Sequence, residues 1–144
     1  MNIKQALKRK TKLVKEINDA FGNVLAYNSV SEGTERPYSP RISLEIWKNL
    51  NDELIELKTA IHRANAPVYD KIFKLSELKN QIKLLKGLDC TSGVPPRGRY
   101  DMSDSPARVA DISVIERDNL IKEYEKEIDT IQDFLDEWNF KTII

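Results

Sequence analysis

The chain's 144 residues suffice for one domain with a real core, and its 23 basic residues balance 23 acidic ones, so no global charge points to nucleic acid or a membrane surface. A single cysteine, Cys90, excludes an internal disulfide and suits a reducing cytoplasm. No apolar run nears the roughly 18 residues of a membrane span, no apolar leader opens the chain, and 32% charged with 40% hydrophobic residues is not a disordered composition, so a soluble cytoplasmic protein is expected.

The first helix is predicted over about 2–28. Ile3, Leu7, Lys10, Val14, Ile17, Phe21 and Val24 step alternately by four and three, a seam that only Lys10 breaks, and Leu13, Ala20 and Leu25 widen it. Residues 29–42 hold glycine, prolines and small polar residues and read as a loop. The second helix is predicted over 43–65, with Ser43 as N-cap and Glu45 in its first turn. Its seam is Trp47, Leu50, Leu54, Leu57, Ile61 and Ala64. Pro67 must kink or end that helix, and Asn65 can cap the third one, 67–86, whose seam is Val68, Ile72, Leu75, Leu78, Ile82 and Leu85. The last helix, 114–139, opens on a capping box from Ser113 to Glu116. It continues through Ile121, Tyr124, Ile128, Ile131, Leu135 and Trp138.

The pattern is all-α: a long antiparallel helical hairpin or bundle of three to four helices in one domain, with a long arginine-containing loop, 87–113, before the last helix. At about 1.5 Å per residue the first and last helices are each roughly 40 Å long. Residues 1–15 carry Lys4, Lys8, Arg9, Lys10, Lys12 and Lys15 without an acid, while 116–137 carry nine acids against three bases. Those two segments are expected neighbours. Long rods with one seam each leave apolar surface over, so a homo-oligomer is expected.

Catalytic chemistry finds little support. His62 is the one histidine and has no second histidine or Glu-x-x-His partner, so a packing role is expected and a di-iron site is excluded. Glu53 and Glu56 share a helix face, as metal-binding acids of helical nucleotide hydrolases do, but the next helix offers only Asp70 and Glu77, and a solvated face is the simpler reading. Cys90 follows a helix C-terminus beside Asp89, both of which oppose a thiolate. There is no phosphate-binding glycine loop and no nucleophile elbow. No cofactor or metal is called for, and the chain reads as a non-enzyme.

Binding is better supported. Span 85–114 has no helical period, and loops that long inside a compact domain are usually functional or disordered. It carries Arg97, Arg99 and Arg108 beside Tyr100, and guanidinium forks match phosphates and carboxylates while tyrosine can stack. The structural alternative pairs these arginines with Asp101, Asp104 and Asp111; Arg36 and Arg41 lie in the first loop. The N-terminal lysines are not interleaved with aromatics, which disfavours nucleic acid.

Ile61-His62-Arg63-Ala64-Asn65-Ala66 resembles the I-N-R-T-N-A signature of the septicolysin-like family of small helical bacterial proteins. Arg99-Tyr100 resembles that family's R-Y motif, and Asp136-Glu137-Trp138-Asn139-Phe140 its closing acidic-x-N-W pattern, in the same order over nearly the whole chain. The resemblance implies a helical hairpin, oligomers, and polar positions at Arg63, Asn65, Arg99, Tyr100 and Asn139. The chain departs from the pattern at His62, at Pro67 and at 101–104, where the family favours a further arginine.

The leading expectation is a non-catalytic oligomer that binds or sequesters a small anionic ligand, such as a nucleotide or cyclic nucleotide signal, through Arg63, Asn65, Arg97, Arg99, Tyr100, Arg108 and Asn139. The alternative is a coiled-coil self-assembly or partner-binding module without a small-molecule ligand. A hydrolase using the helical acids stands third.

Overall fold

The computed structural model describes residues 1–94, 98–99 and 106–144. Among these the chain forms four α-helices: α1 (Ile3–Tyr27), α2 (Pro40–Asn65), α3 (Tyr69–Lys86) and α4 (Val114–Lys141). Ala66–Val68 form a 3-10 turn, and two isolated β-bridges are the only extended pairings among the described residues. The fold is all-α. It divides into two compact units, Met1–Tyr69 with Asp136–Ile144, and Asp70–Leu135. No helix is long and apolar enough to cross a membrane among the described residues.

In the first unit α1 and α2 form an antiparallel hairpin: Arg9 reaches Glu53, while Phe21 further along α1 meets Trp47 earlier on α2, ring centroids 5.1 Å apart. The buried stripe of α1 is Ile3, Ala6, Leu13 and Ala20, whereas Val14 and Phe21, expected in the seam, are exposed and Leu7 is half-buried. Small residues lie on the buried faces instead, Ala6 and Ala20 on α1 and Ser43 on α2.

The helix ends follow local chemistry. Asn2 and Gln5 make a reciprocal capping box, the Asn2 side chain accepting from the Gln5 N–H at 2.9 Å and the Asn2 N–H donating to Gln5 Oε1 at 3.0 Å. α2 begins three residues before the predicted Ser43. Ser39 caps it by accepting from the Ile42 N–H at 3.3 Å, and Pro40 takes the first turn, where its missing N–H costs nothing. Ser39-Pro40 is therefore the start signal, and Ser43 belongs to the packed face.

At Pro67 the backbone stays helical: Asn65, Ala66 and Tyr69 all hold right-handed dihedrals, and the ladder narrows to a 3-10 turn. The Ala66 N–H donates to Arg63 O, which takes it from the His62 carbonyl. The Tyr69 hydroxyl donates to that carbonyl at 3.1 Å and also meets His62 Nδ1. Asn65 does not cap the next helix as expected, and its Oδ1 is buried without a hydrogen-bond partner. Residues 1–3 and 142–144 are clipped together: Ile3 N–H donates to Thr142 O and Ile144 N–H to Met1 O, each at 3.0 Å, and Asn2 Nδ2 donates to Phe140 O at 3.0 Å.

In the second unit α3 and α4 run antiparallel, with Lys74 Nζ 2.5 Å from Glu127 Oε1 and Arg117 Nη1 donating to Leu88 O at 3.0 Å. Leu78, Ile82, Cys90, Ile121, Ile131 and Leu135 are buried. Every seam position predicted for α2, α3 and α4 is buried or half-buried. Ser113 Oγ accepts from the Glu116 N–H at 3.1 Å, the forward half of the predicted capping box. The loop before α4 is tied at its base by Gly93 and Arg108, which exchange two backbone hydrogen bonds of 2.9 Å. Gly93 sits at φ +106, a conformation that favours glycine over any residue with a Cβ.

Candidate functional site

Of the seven residues that the sequence assigns to a ligand, Arg97 and Tyr100 lie outside the described residues. Arg99 is exposed in a turn. Arg108 is held by its backbone to Gly93, and its guanidinium lies 3.7 Å from Asp89 Oδ2, both side chains mostly exposed. Asp101 and Asp104, two of the three acids expected to pair with the loop arginines, lie outside the described residues, and Asp89 was not among the three. Asp89 is a prepared partner: the Thr91 hydroxyl (2.5 Å) and N–H (2.9 Å) donate to it, and with the Arg108 charge they hold its carboxyl below the usual carboxylate range.

Arg63 is exposed in the last turn of α2, where the helix dipole favours a cation. Asn65 and Asn139 are half-buried. Asn139 lines a groove of about 530 Å³ in the first unit with Lys4, Leu7, Lys8, Thr11 and Asp136, and neither Arg63 nor Asn65 lines it. The groove takes one wall from α1 and the other from the end of α4. Sequence reading treated Lys4 and Lys8 only as members of a basic run. Their i,i+4 spacing puts both on one side of α1, away from Arg9, but Lys12 continues the same spacing, so the sequence does not separate them from the rest of the run.

Other cations are committed. Arg36 closes α1 by donating through Nε to Tyr27 O at 2.7 Å and through Nη2 to Asn28 O at 3.2 Å, so the groove of about 470 Å³ that it lines with Asn28, Ser39, Pro40 and Arg41 is built around a helix end. Arg9 donates to Glu53 (2.8 and 2.9 Å) and to Glu16 (3.2 Å), and Lys12 also lies 3.7 Å from Glu16. Glu53 thus serves as an ion-pair partner, and Arg9 holds its carboxyl below the usual range. A smaller groove of about 330 Å³ in the second unit is lined by Lys86, Arg117, Asp118, Ile121, Lys122 and Glu125. There Arg117 is engaged with Asp118 at 3.1 Å as well as with Leu88 O.

His62 is exposed, not a packed core residue, and its ring lies against that of Tyr69, tilted by 48° with centroids 5.0 Å apart. Among the described residues no three His, Cys, Asp or Glu side chains gather as a metal site requires. No family model, curated protein or solved structure matches the chain.

Proposed function

We propose that the chain is a non-catalytic helical module that assembles with a second copy of itself through α1. The observation that carries this reading is a column of apolar side chains left at the surface. At 100° per residue Leu7, Val14, Phe21 and Leu25 fall within about 20° of one line along α1, and the last three are exposed, Leu25 at 72%. Trp47 extends the patch by its ring contact with Phe21.

A two-helix hairpin covers only one stripe of each helix, and a seven-residue apolar period is what a second helix packs against. The column is suited to its own kind. An antiparallel α1–α1 pair centred near Glu16 joins Leu7 of one copy to Leu25 of the other, which makes the interface isologous.

Native mass spectrometry and light scattering test the reading. The expected result is a multiple of the 16.6 kDa chain mass at tens of micromolar, with Val14→Glu and Leu25→Glu reduced to single chains at unchanged helical content. A wild-type chain that stays single under those conditions, or variants that assemble normally, overturns it.

A further inference from the structure

We infer that Asn18 limits the assembly to two chains, an inference that rests on the α1 interface proposed above. Thr11, Asn18 and Leu25 lie four residues beyond Leu7, Val14 and Phe21 in turn, about 40° further round the helix. Together the six residues step alternately by four and three, the spacing of a coiled-coil seam built from two rows of period seven. All but Leu7 are exposed. The first row is apolar throughout, and the second is polar at Thr11 and Asn18.

The two polar residues differ in what they need from a partner. Thr11 Oγ1 donates to Leu7 O at 3.2 Å, so its hydroxyl is engaged within its own helix and its methyl group is free to pack. The Asn18 side chain makes no hydrogen bond among the described residues. Water serves that amide while the chain is single. A seam that closes over it must supply an acceptor for its N–H groups and a donor for its oxygen.

A seam of two helices can do so. In the antiparallel pair centred near Glu16, the layers join Leu7 to Leu25, Thr11 to Phe21 and Val14 to Asn18 of the other copy. The two Asn18 residues then occupy the two central layers, about 6 Å apart along the axis. One amide can donate to the other there, and the open edge of a two-helix interface leaves the remaining groups to water. In a bundle of three or four α1 helices the same row turns inward around a closed core. The amides would lose water there and meet apolar side chains of more than one neighbour. A single polar residue in such a row sets copy number at a cost in affinity.

Native mass spectrometry and sedimentation equilibrium of the full chain and of Asn18→Leu test this. The wild type should give one assembled species, at twice the 16.6 kDa chain mass. Asn18→Leu should assemble at a concentration at least about tenfold lower, since no amide is desolvated, and should add species of three or four chains. Asn49→Leu places the same side chain at an exposed asparagine of α2 and should leave the wild-type pattern unchanged. A wild-type species above two chains, an Asn18→Leu chain that stops at two, or the same gain in Asn49→Leu overturns the inference and leaves self-assembly standing. A wild-type chain that stays single overturns both readings.

Discussion

Three nitrogens of Arg9 donate to carboxylates, Nε and Nη2 in a fork to Glu53 and Nη1 to Glu16, and this makes Arg9 the charged link between α1 and α2. The fork is why lysine is no substitute there: a single ammonium reaches one oxygen where the guanidinium reaches two. The hydrogen bonds and charge of Arg9 lower the folded-state pKa of Glu53. A lowered carboxylate contributes stability above its unfolded pKa and loses it as pH falls through the folded value. Glu53→Gln should therefore lower Tm near pH 7 by about 1–3 °C, the range for partly exposed pairs in a chain of this size. The difference from wild type should shrink as pH is taken below the ordinary carboxylate range. Thermal melts of both proteins from pH 7 to pH 3 check this, and a gap that stays constant with pH contradicts it.

On the scale of the helix, α1 turns on its alanines. Ala6 is fully covered and Ala20 nearly so, while Leu7 beside Ala6 is only half-buried and Phe21 beside Ala20 is at the surface. Ala6→Leu should cost about 1–3 kcal/mol by overpacking a fully buried position, and Leu13→Ala about 2–5 kcal/mol by leaving a cavity. Val14→Ala should stay within about 0.5 kcal/mol when unfolding is followed by urea at a dilution that keeps the chain single. The reverse order would restore the seam through Val14 and Phe21. This helix also marks where sequence reading fell short. Bulk and period predicted α2, α3 and α4 down to their seam residues, because large side chains there alternate with charge. In α1 two heptad-spaced columns lie side by side, and hydrophobicity ranks Val14 and Phe21 above Ala6 and Ala20 although the small pair is the buried one. The start of α2 was legible in Ser39-Pro40 and was missed in favour of a serine nearer the apolar run. The pairing of Gly93 with Arg108 has no local signal, since it joins residues fifteen apart through backbone atoms alone. For the same reason Lys4 and Lys8 were legible as charges but not as one wall of a groove, whose other wall is Asp136 and Asn139.

For the molecule as a whole, burial is unequal between the two units. Ile3, Ala6 and Leu13 of the first unit have no exposed surface, the other buried apolar residues of that unit retain 3–9%, and those of the second retain 5–8% each. The first unit is also closed by long-range pairing, since residues 1–3 bond to 140–144 through three backbone or amide contacts of 3.0 Å. Such closure joins segments nearly the whole chain apart, so opening it exposes the first turn of α1 and the end of α4 together. Amides in the first half of α1 should consequently exchange most slowly in deuterated water, and those of α3 and of α4 up to Leu135 faster. Asn2 is the point to test, because one side chain serves both the capping box of α1 and the bond to Phe140 O. Asn2→Ala should cost about 1 kcal/mol, the usual value of an N-cap, and should speed exchange at Ile3–Leu7 and 140–144 while leaving α3 unchanged. Acceleration confined to α1 would mean that the cap alone matters, and that residues 140–144 hold their place without it.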